Sequence, residues 1–199
     1  MKSILCVLIA LLLGPWGHAQ SVLLSYQDTH IGRNMSAVYT WGKRHQFYGG
    51  VKYHINRLIH DNQSNIFHKR FYASHLGEHL GLQAGYQWRI PLSSFGAILP
   101  FYHSQFTVAG TNGRDLVPSY SVISFDQLKA LEQFVGLAAE AGLGKGFFVD
   151  ARIGGGVVLY WDIPSEAGPN TTYVGPSSNW ELGGMVSVGI GYRWGKTEP

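Results

Sequence analysis

The sequence predicts an all-β fold, a closed antiparallel up-and-down β-barrel of about eight strands, and three observations carry that expectation. Apolar residues alternate with polar or small ones along most of the chain, the period of a strand with two different faces. The connections between these segments switch between tight and long. The tryptophans beyond the N-terminal segment all stand on the apolar parity, at segment ends.

The N-terminal segment is set aside first. A basic start at Lys2, an unbroken apolar run from Ile4 to Leu13, the breakers Gly14 and Pro15, and small residues at Gly17 and Ala19 fit a secretory signal peptide cut after Ala19. The run is about ten residues, short of the roughly 20 that a spanning helix needs. The expected organisation is therefore a signal peptide over 1–19 and one barrel domain over 20–199. Cys6, the only cysteine, lies in the apolar run, so neither a disulfide nor a lipidated N-terminal cysteine is expected. Removal of Lys2 leaves 14 basic residues against 12 acidic ones, too even a balance to imply a nucleic-acid partner despite a pI near 9.0. The 26 glycines, 14% aromatic content and 14% charged content, against about 25% charged in an ordinary soluble domain, suit a surface that faces lipid.

Taken in order, Val22 to Asp28 and Arg33 to Gly42 read as the first two strands, and a tight turn follows at Lys43 to His45. Phe47 to Ile55 sets Val51, Tyr53 and Ile55 against Gly50, Lys52 and His54. A long polar segment, Ile59 to Gly77, leads to Gly81 to Ile90, with Leu82, Ala84, Tyr86 and Trp88 opposite Gln83, Gly85, Gln87 and Arg89. After a turn at Pro91 to Ser94 comes Phe95 to Ala109, where Pro100 lacks a ladder donor and predicts a bulge or an irregular point. The second long segment, Gly110 to Lys129, leads to Phe125, Leu128 and Leu131 or Glu132, spaced for one or two helical turns. A strand carrying Glu140 then enters the Gly144 to Gly146 turn. Phe147 to Trp161 places Val149, Ala151, Ile153 and Val157 opposite Asp150, Arg152, Gly154 and Gly156, and simple hairpin register sets Glu140 beside Asp150. After Asp162 to Ser178, the last segment, Glu181 to Trp194, alternates Leu182, Val186, Val188, Ile190, Tyr192 and Trp194 with small or polar residues. Eight strands put both chain ends on the tight-turn side.

Alternation does not say which face points inward. A soluble lipocalin-like carrier of an apolar ligand has the same period with its greasy side turned in. The tryptophans decide the expectation: Trp41, Trp88 and Trp194 fall toward the tight turns, Trp161 and Trp180 toward the long segments, and indole prefers a membrane interface. Three copies of Tyr-x-Trp, Tyr39 to Trp41, Tyr86 to Trp88 and Tyr192 to Trp194, stand at matching heights. The predicted architecture is thus a transmembrane barrel with a membrane-interface girdle of Tyr39, Trp41, Tyr86, Trp88, Trp161, Trp180, Tyr192 and Trp194. An eight-stranded interior is only wide enough to be filled by side chains. Here it would hold a polar lumen network of Lys52, His54, Gln83, Gln87, Arg89, Glu140, Asp150, Arg152 and Arg193, a plug with no open pore.

These features, with the final strand Met185-Val-Ser-Val-Gly-Ile-Gly-Tyr-Arg-Trp194, resemble the small eight-stranded outer-membrane barrels of the OmpA and OmpX type. The resemblance is architectural and spans residues 20–199, although the Gly195 to Pro199 tail departs from the aromatic C-terminus usual in such barrels. It implies residence in the outer membrane of a Gram-negative cell envelope after signal-peptide cleavage, insertion by the outer-membrane assembly machinery, and contact with outer-membrane lipid and lipopolysaccharide. The expected function is structural, or surface interaction through the long loops with an envelope protein partner. The alternatives are a lipid A or phospholipid-modifying enzyme and the soluble carrier.

The individual motifs point to no chemistry, and no catalytic residue, cofactor or metal is expected. His75-Leu-Gly-Glu-His79 matches a zinc-peptidase pattern that needs both histidines on one helical turn, yet Gly77 interrupts it and a strand follows, along which residues four apart are about 13 Å from each other. His60, His68, His75 and His79 make the first long segment histidine-rich without ligand spacing. His68-Lys69-Arg70 with Phe71 and Tyr72 suits the anionic head groups of lipopolysaccharide. For an acyl-transfer enzyme the candidates are Ser104 beside His103 and Ser74 beside His75, but neighbours along a strand point to opposite faces.

Overall fold

The computed structural model describes residues 20–55, 80–110, 125–164 and 178–194. The proposed signal peptide, the predicted connection Ile59 to Gly77, most of the other two and the histidine motif at 75–79 lie outside the described residues; Gly110, 125–129, 162–164 and Ser178, expected in connections, are strand instead. The strands are β1 (Gln20–Thr29), β2 (Arg33–Trp41), β3 (His45–His54), β4 (Leu80–Trp88), the two-residue β5 (Ile90–Pro91), β6 (Gly96–Gly110), β7 (Phe125–Gly144), β8 (Phe147–Pro164) and β9 (Ser178–Trp194). Every neighbouring pair is antiparallel, in the order β4-β3-β2-β1-β9-β8-β7-β6, and a further pairing of β4 with β6 closes the sheet. Because β5 carries on from β4, the ring is an eight-stranded closed barrel.

At one end, here the near end, lie the tight turns at 42–44, 92–95 and 145–146, with Gln20 and Trp194. The β7–β8 hairpin shows what such a turn demands: Gly144 pairs with Phe147, and both intervening residues have positive φ, 51° at Lys145 and 86° at Gly146. That geometry follows the right-handed twist of the flanking strands and favours glycine.

One expectation about elements is corrected, and the irregular point expected at Pro100 is found. Phe125, Leu128, Leu131 and Glu132 form no helical turns; they belong to β7, paired with β8 from Phe125↔Pro164 onward with a register shift between Phe125 and Gln127. From Gln127 onward this stretch is paired with both β6 and β8, which outweighs a weak helical spacing. Pro100 causes no bulge toward β7, where the register runs unbroken through Pro100↔Leu137. Its irregularity lies on the other side: the β4 ladder stops at Gln87↔Phe101 and resumes in the same register at Ile90↔Ile98. The interrupted positions face Pro100 and Leu99, while on the β3 side Arg89 N–H donates to the Arg44 carbonyl at 2.7 Å.

Side chains sort by parity. Leu24, Met35, Val51, Leu82, Val135, Leu137, Ile153, Leu182, Val188 and Ile190 are exposed on the outer surface, while Lys52, Gln83, Glu132, Glu140, Asp150 and Arg193 are buried in the lumen. The lumen also holds apolar packing, with Leu99, Phe101, Phe134, Val158 and Met185 in one cluster and Leu23, Val38, Tyr48 and Phe148 in another. Large inward side chains lie over inward glycines: a Cβ on Gly85 would sit 2.3 Å from the Tyr48 hydroxyl, and one on Gly191 would sit 2.2 Å from the Phe148 ring. Gly191→Ala is therefore expected to cost about 1–3 kcal/mol, with Phe148→Leu in the same chain recovering part of it. Urea unfolding of the folded protein measures both.

Candidate functional site

The lumen carries its charges in three layers. In the near layer Glu140 accepts from Arg193 through both oxygens, Nη1 to Oε1 at 2.8 Å and Nη2 to Oε2 at 2.5 Å, and Arg89 Nη2 approaches the same Oε1 at 3.1 Å. Such forked pairing fixes orientation as well as charge. The Arg193 guanidinium also lies over the Phe148 ring, 4.8 Å from its centroid. Gln87 donates to Gln46 at 2.7 Å.

Register sets Glu140 directly opposite Asp150. Two adjacent carboxylates out of water repel, and each is held on its own arginine. In the middle layer Asp150 takes Arg152, Nε to Oδ1 at 2.6 Å and Nη2 to Oδ2 at 3.2 Å. Arg152 lies between the rings of Tyr48 and Phe101, at 5.4 and 5.7 Å. A guanidinium stripped of water is stabilised by such ring faces. The Tyr48 hydroxyl in turn meets His103 Nδ1 at 2.9 Å.

The far layer centres on Glu132. Its Oε2 faces Lys52 Nζ at 3.4 Å and accepts from Gln105 Nε2, while Oε1 accepts from the Ile31 backbone N–H at 3.2 Å. Glu132 is fully buried and Lys52 is 1% exposed. His54 Nδ1 and Asn34 Oδ1 are 3.3 Å apart, and Gln27 reaches Gln83 at 3.4 Å. His30 Nε2 and Glu181 Oε2 are 2.8 Å apart where β9 begins.

Thus Lys52, His54, Gln83, Gln87, Arg89, Glu140, Asp150, Arg152 and Arg193 all point inward, and contacts among the described residues set their charges in separate groups. Glu140 collects Arg89 and Arg193, Asp150 collects Arg152, and Lys52 pairs with a residue that sequence reading passed over. Glu132 was obscured by its helical spacing; its parity with Phe134 and Glu140 on one strand was the available signal. His103 and Gln105 share the inward parity of Phe101. His103 points into the lumen and is buried, whereas Ser104 stands on the outward parity, so the two have no common site. Ser74 and His75 lie outside the described residues. Among the described residues, no group of three or more His, Cys, Asp or Glu side chains is placed to hold a metal ion.

The outer surface carries a second constellation. At the near end the rings run in contact from Phe147 to Tyr192 (5.1 Å between centroids), Trp194, Tyr39 and Trp41. They continue through Phe47 and Tyr86 to His45 and Trp88. This belt contains all three Tyr-x-Trp pairs and adds Phe47, Phe147 and His45, which sequence reading left out. Trp161 and Trp180 stand outward at the far end of neighbouring strands, with Trp180 opposite Leu159 and Trp161 opposite Ser178. Among the described residues no helix is long and apolar enough to cross a membrane, a statement that does not bear on strands.

Fold and site together define a closed eight-stranded antiparallel β-barrel with an aromatic outer belt and a filled, charge-paired lumen. No protein-family model matches the chain, and no curated protein matches its sequence.

The Lys52–Glu132 pair gives a direct energetic expectation. Glu132→Leu leaves a buried ammonium without its anion and should cost about 3–5 kcal/mol, whereas Glu132→Leu with Lys52→Met should regain most of that loss. Chemical denaturation of the four members of the double-mutant cycle measures the coupling.

Proposed function

We propose that this chain is an outer-membrane β-barrel protein of a Gram-negative envelope, delivered by a cleaved signal peptide, with a structural or surface-interaction role. The carrying observation is the sorting of side chains: the outward positions of the described strands are dominated by exposed aliphatic and aromatic residues, while buried charges are paired inside. In water an outer surface of this kind would be an aggregation liability; in lipid it is the required one, because a closed barrel satisfies its backbone internally. The belts at Tyr39, Trp41, Tyr86, Trp88, Tyr192 and Trp194 and at Trp161 and Trp180 take the two interfaces. Outer-membrane lipid and lipopolysaccharide are the immediate surroundings, the assembly machinery is the partner in insertion, and an envelope protein partner would be met through the segments at 56–79, 111–124 and 165–177.

The polar, filled lumen is the inverse of what a carrier of apolar ligands needs. The separation of His103 from Ser104 removes the acyl-transfer pair within the described residues. A structural or interaction role is therefore favoured over an enzyme or a soluble carrier.

Two measurements test this reading. The protein should fractionate with the outer membrane and run faster on gels unboiled than boiled; a soluble protein without that shift would sink the proposal. Ile153, 62% exposed and midway along β8, supplies the second. In water Ile153→Arg would change stability by no more than about 0.5 kcal/mol, but at the midplane of a bilayer it should cost about 2–4 kcal/mol. Unfolding titrations in lipid vesicles distinguish the two.

A further inference from the structure

The β1–β2 turn, His30 to Gly32, does not project away from the barrel as a hairpin turn ordinarily would. Ile31 is 4% exposed and belongs to the same buried cluster as Ala130, Phe134 and Val158. Its backbone N–H reaches Glu132 on β7, and in the strand order β9 and β8 stand between β1 and β7. On the other side Gly32 lies against β3: a Cβ there would meet His54 Cε1 at 2.5 Å. The turn therefore crosses the far mouth and touches opposite walls.

We propose that this turn is a lid that shuts a polar chamber in the far half of the lumen, and that its displacement gives water and small polar solutes access to that chamber. The chamber is marked by buried polar atoms without a hydrogen-bond partner among the described residues, Gln27 Oε1, Thr107 Oγ1 and Ser187 Oγ. Buried groups of this kind are ordinarily satisfied by internal water. Gln27 and Ser187 are directly opposed in the β1–β9 register, and Gln105 and Thr107 stand two apart on β6, Gln105 bonded to the same Glu132 that holds the lid.

The lid is short and is held by the packing of Ile31 in the buried cluster and by polar bonds. His30 is bonded to Glu181, Ile31 N–H to Glu132, and the Gly32 carbonyl accepts from Asn34 Nδ2 at 3.1 Å and Thr29 Oγ1 at 3.2 Å. Gly32 has φ of +142°, a conformation suited to glycine, where the turn enters β2. Residues 30–32 lie outside the β1–β2 ladder, so loosening their contacts opens the mouth locally without global unfolding.

The test is thiol accessibility in the folded, detergent-solubilised protein with Cys6→Ser as background. Ser187→Cys places one thiol in the chamber, Ile31→Cys one on the lid, and Ser93→Cys, in an exposed near-end turn, is the control. Against a small impermeant methanethiosulfonate reagent, the first two should react about 100-fold more slowly than the control. His30→Ala with Glu181→Gln should speed the Ser187→Cys reaction roughly tenfold or more. Ile31→Cys reacting at the control rate would overturn the lid, whether or not the double variant folds. So would an unchanged Ser187→Cys rate in a double variant that keeps its gel-mobility shift. The shift itself reports the membrane-barrel reading independently, so failure of one leaves the other standing.

Discussion

The bore of an eight-stranded ring governs this structure. Once β4 pairs with β6 the circumference is fixed, and every second residue of every strand is sent into a space that only a few large side chains can occupy. The glycines follow from that constraint. Tyr48 occupies the room left by Gly85, Phe148 that left by Gly191, and Phe101 reaches the positions of Gly136 and Gly154. The same geometry excludes enough water to hydrate a lone ion. Charges that enter the lumen therefore come with partners, and neither Glu140 nor Asp150 lacks an arginine.

Closure also explains the helical spacing that became strand and the irregular point at Pro100. A strand within a ring has neighbours on both sides, so the ladder can overrule local spacing, as it does from Gln127 to Glu132 in β7. The ladder also accommodates one missing donor by opening on a single side, as it does across Pro100. Sequence periodicity describes one strand at a time, and these features depend on what stands beside the strand.

That distinction sets what the residues disclosed in advance. The eight-stranded form, the tight turns near Lys43, Pro91 and Gly144, the inward parity of Lys52 and Arg193 and the opposition of Glu140 to Asp150 were legible, because each follows from alternation or from hairpin register. Partners across the lumen were not. Lys52 on β3 meets Glu132 on β7, and Tyr48 on β3 meets His103 on β6; such contacts depend on ring diameter and tilt, which no local pattern encodes. The inward fold of the β1–β2 turn was hidden for the same reason, since His30-Ile31-Gly32 looks like any short connection until the opposite wall is present. In the belt, Phe47 and Phe147 had the right parity but stand in no Tyr-x-Trp repeat, the pattern that drew attention to the others.

The layered charges do something that apolar packing of the same lumen would not. Buried ion pairs are poor sources of net stability, because desolvation offsets most of the attraction. Their sharper effect is on alternatives. A one-residue slip of a strand turns its entire inward set outward. In an apolar-lined barrel such a slip would exchange one greasy face for another. Here, a slip of β8 would carry Asp150 and Arg152 to the outer surface and break a matched set at the level of Glu140. A slip of β3 would do the same to Lys52 and leave Glu132 without its cation. If the outer surface meets lipid, each misplaced charge adds the cost of exposure to hydrocarbon. The charges of the lumen thereby select one register out of several that would close the same ring.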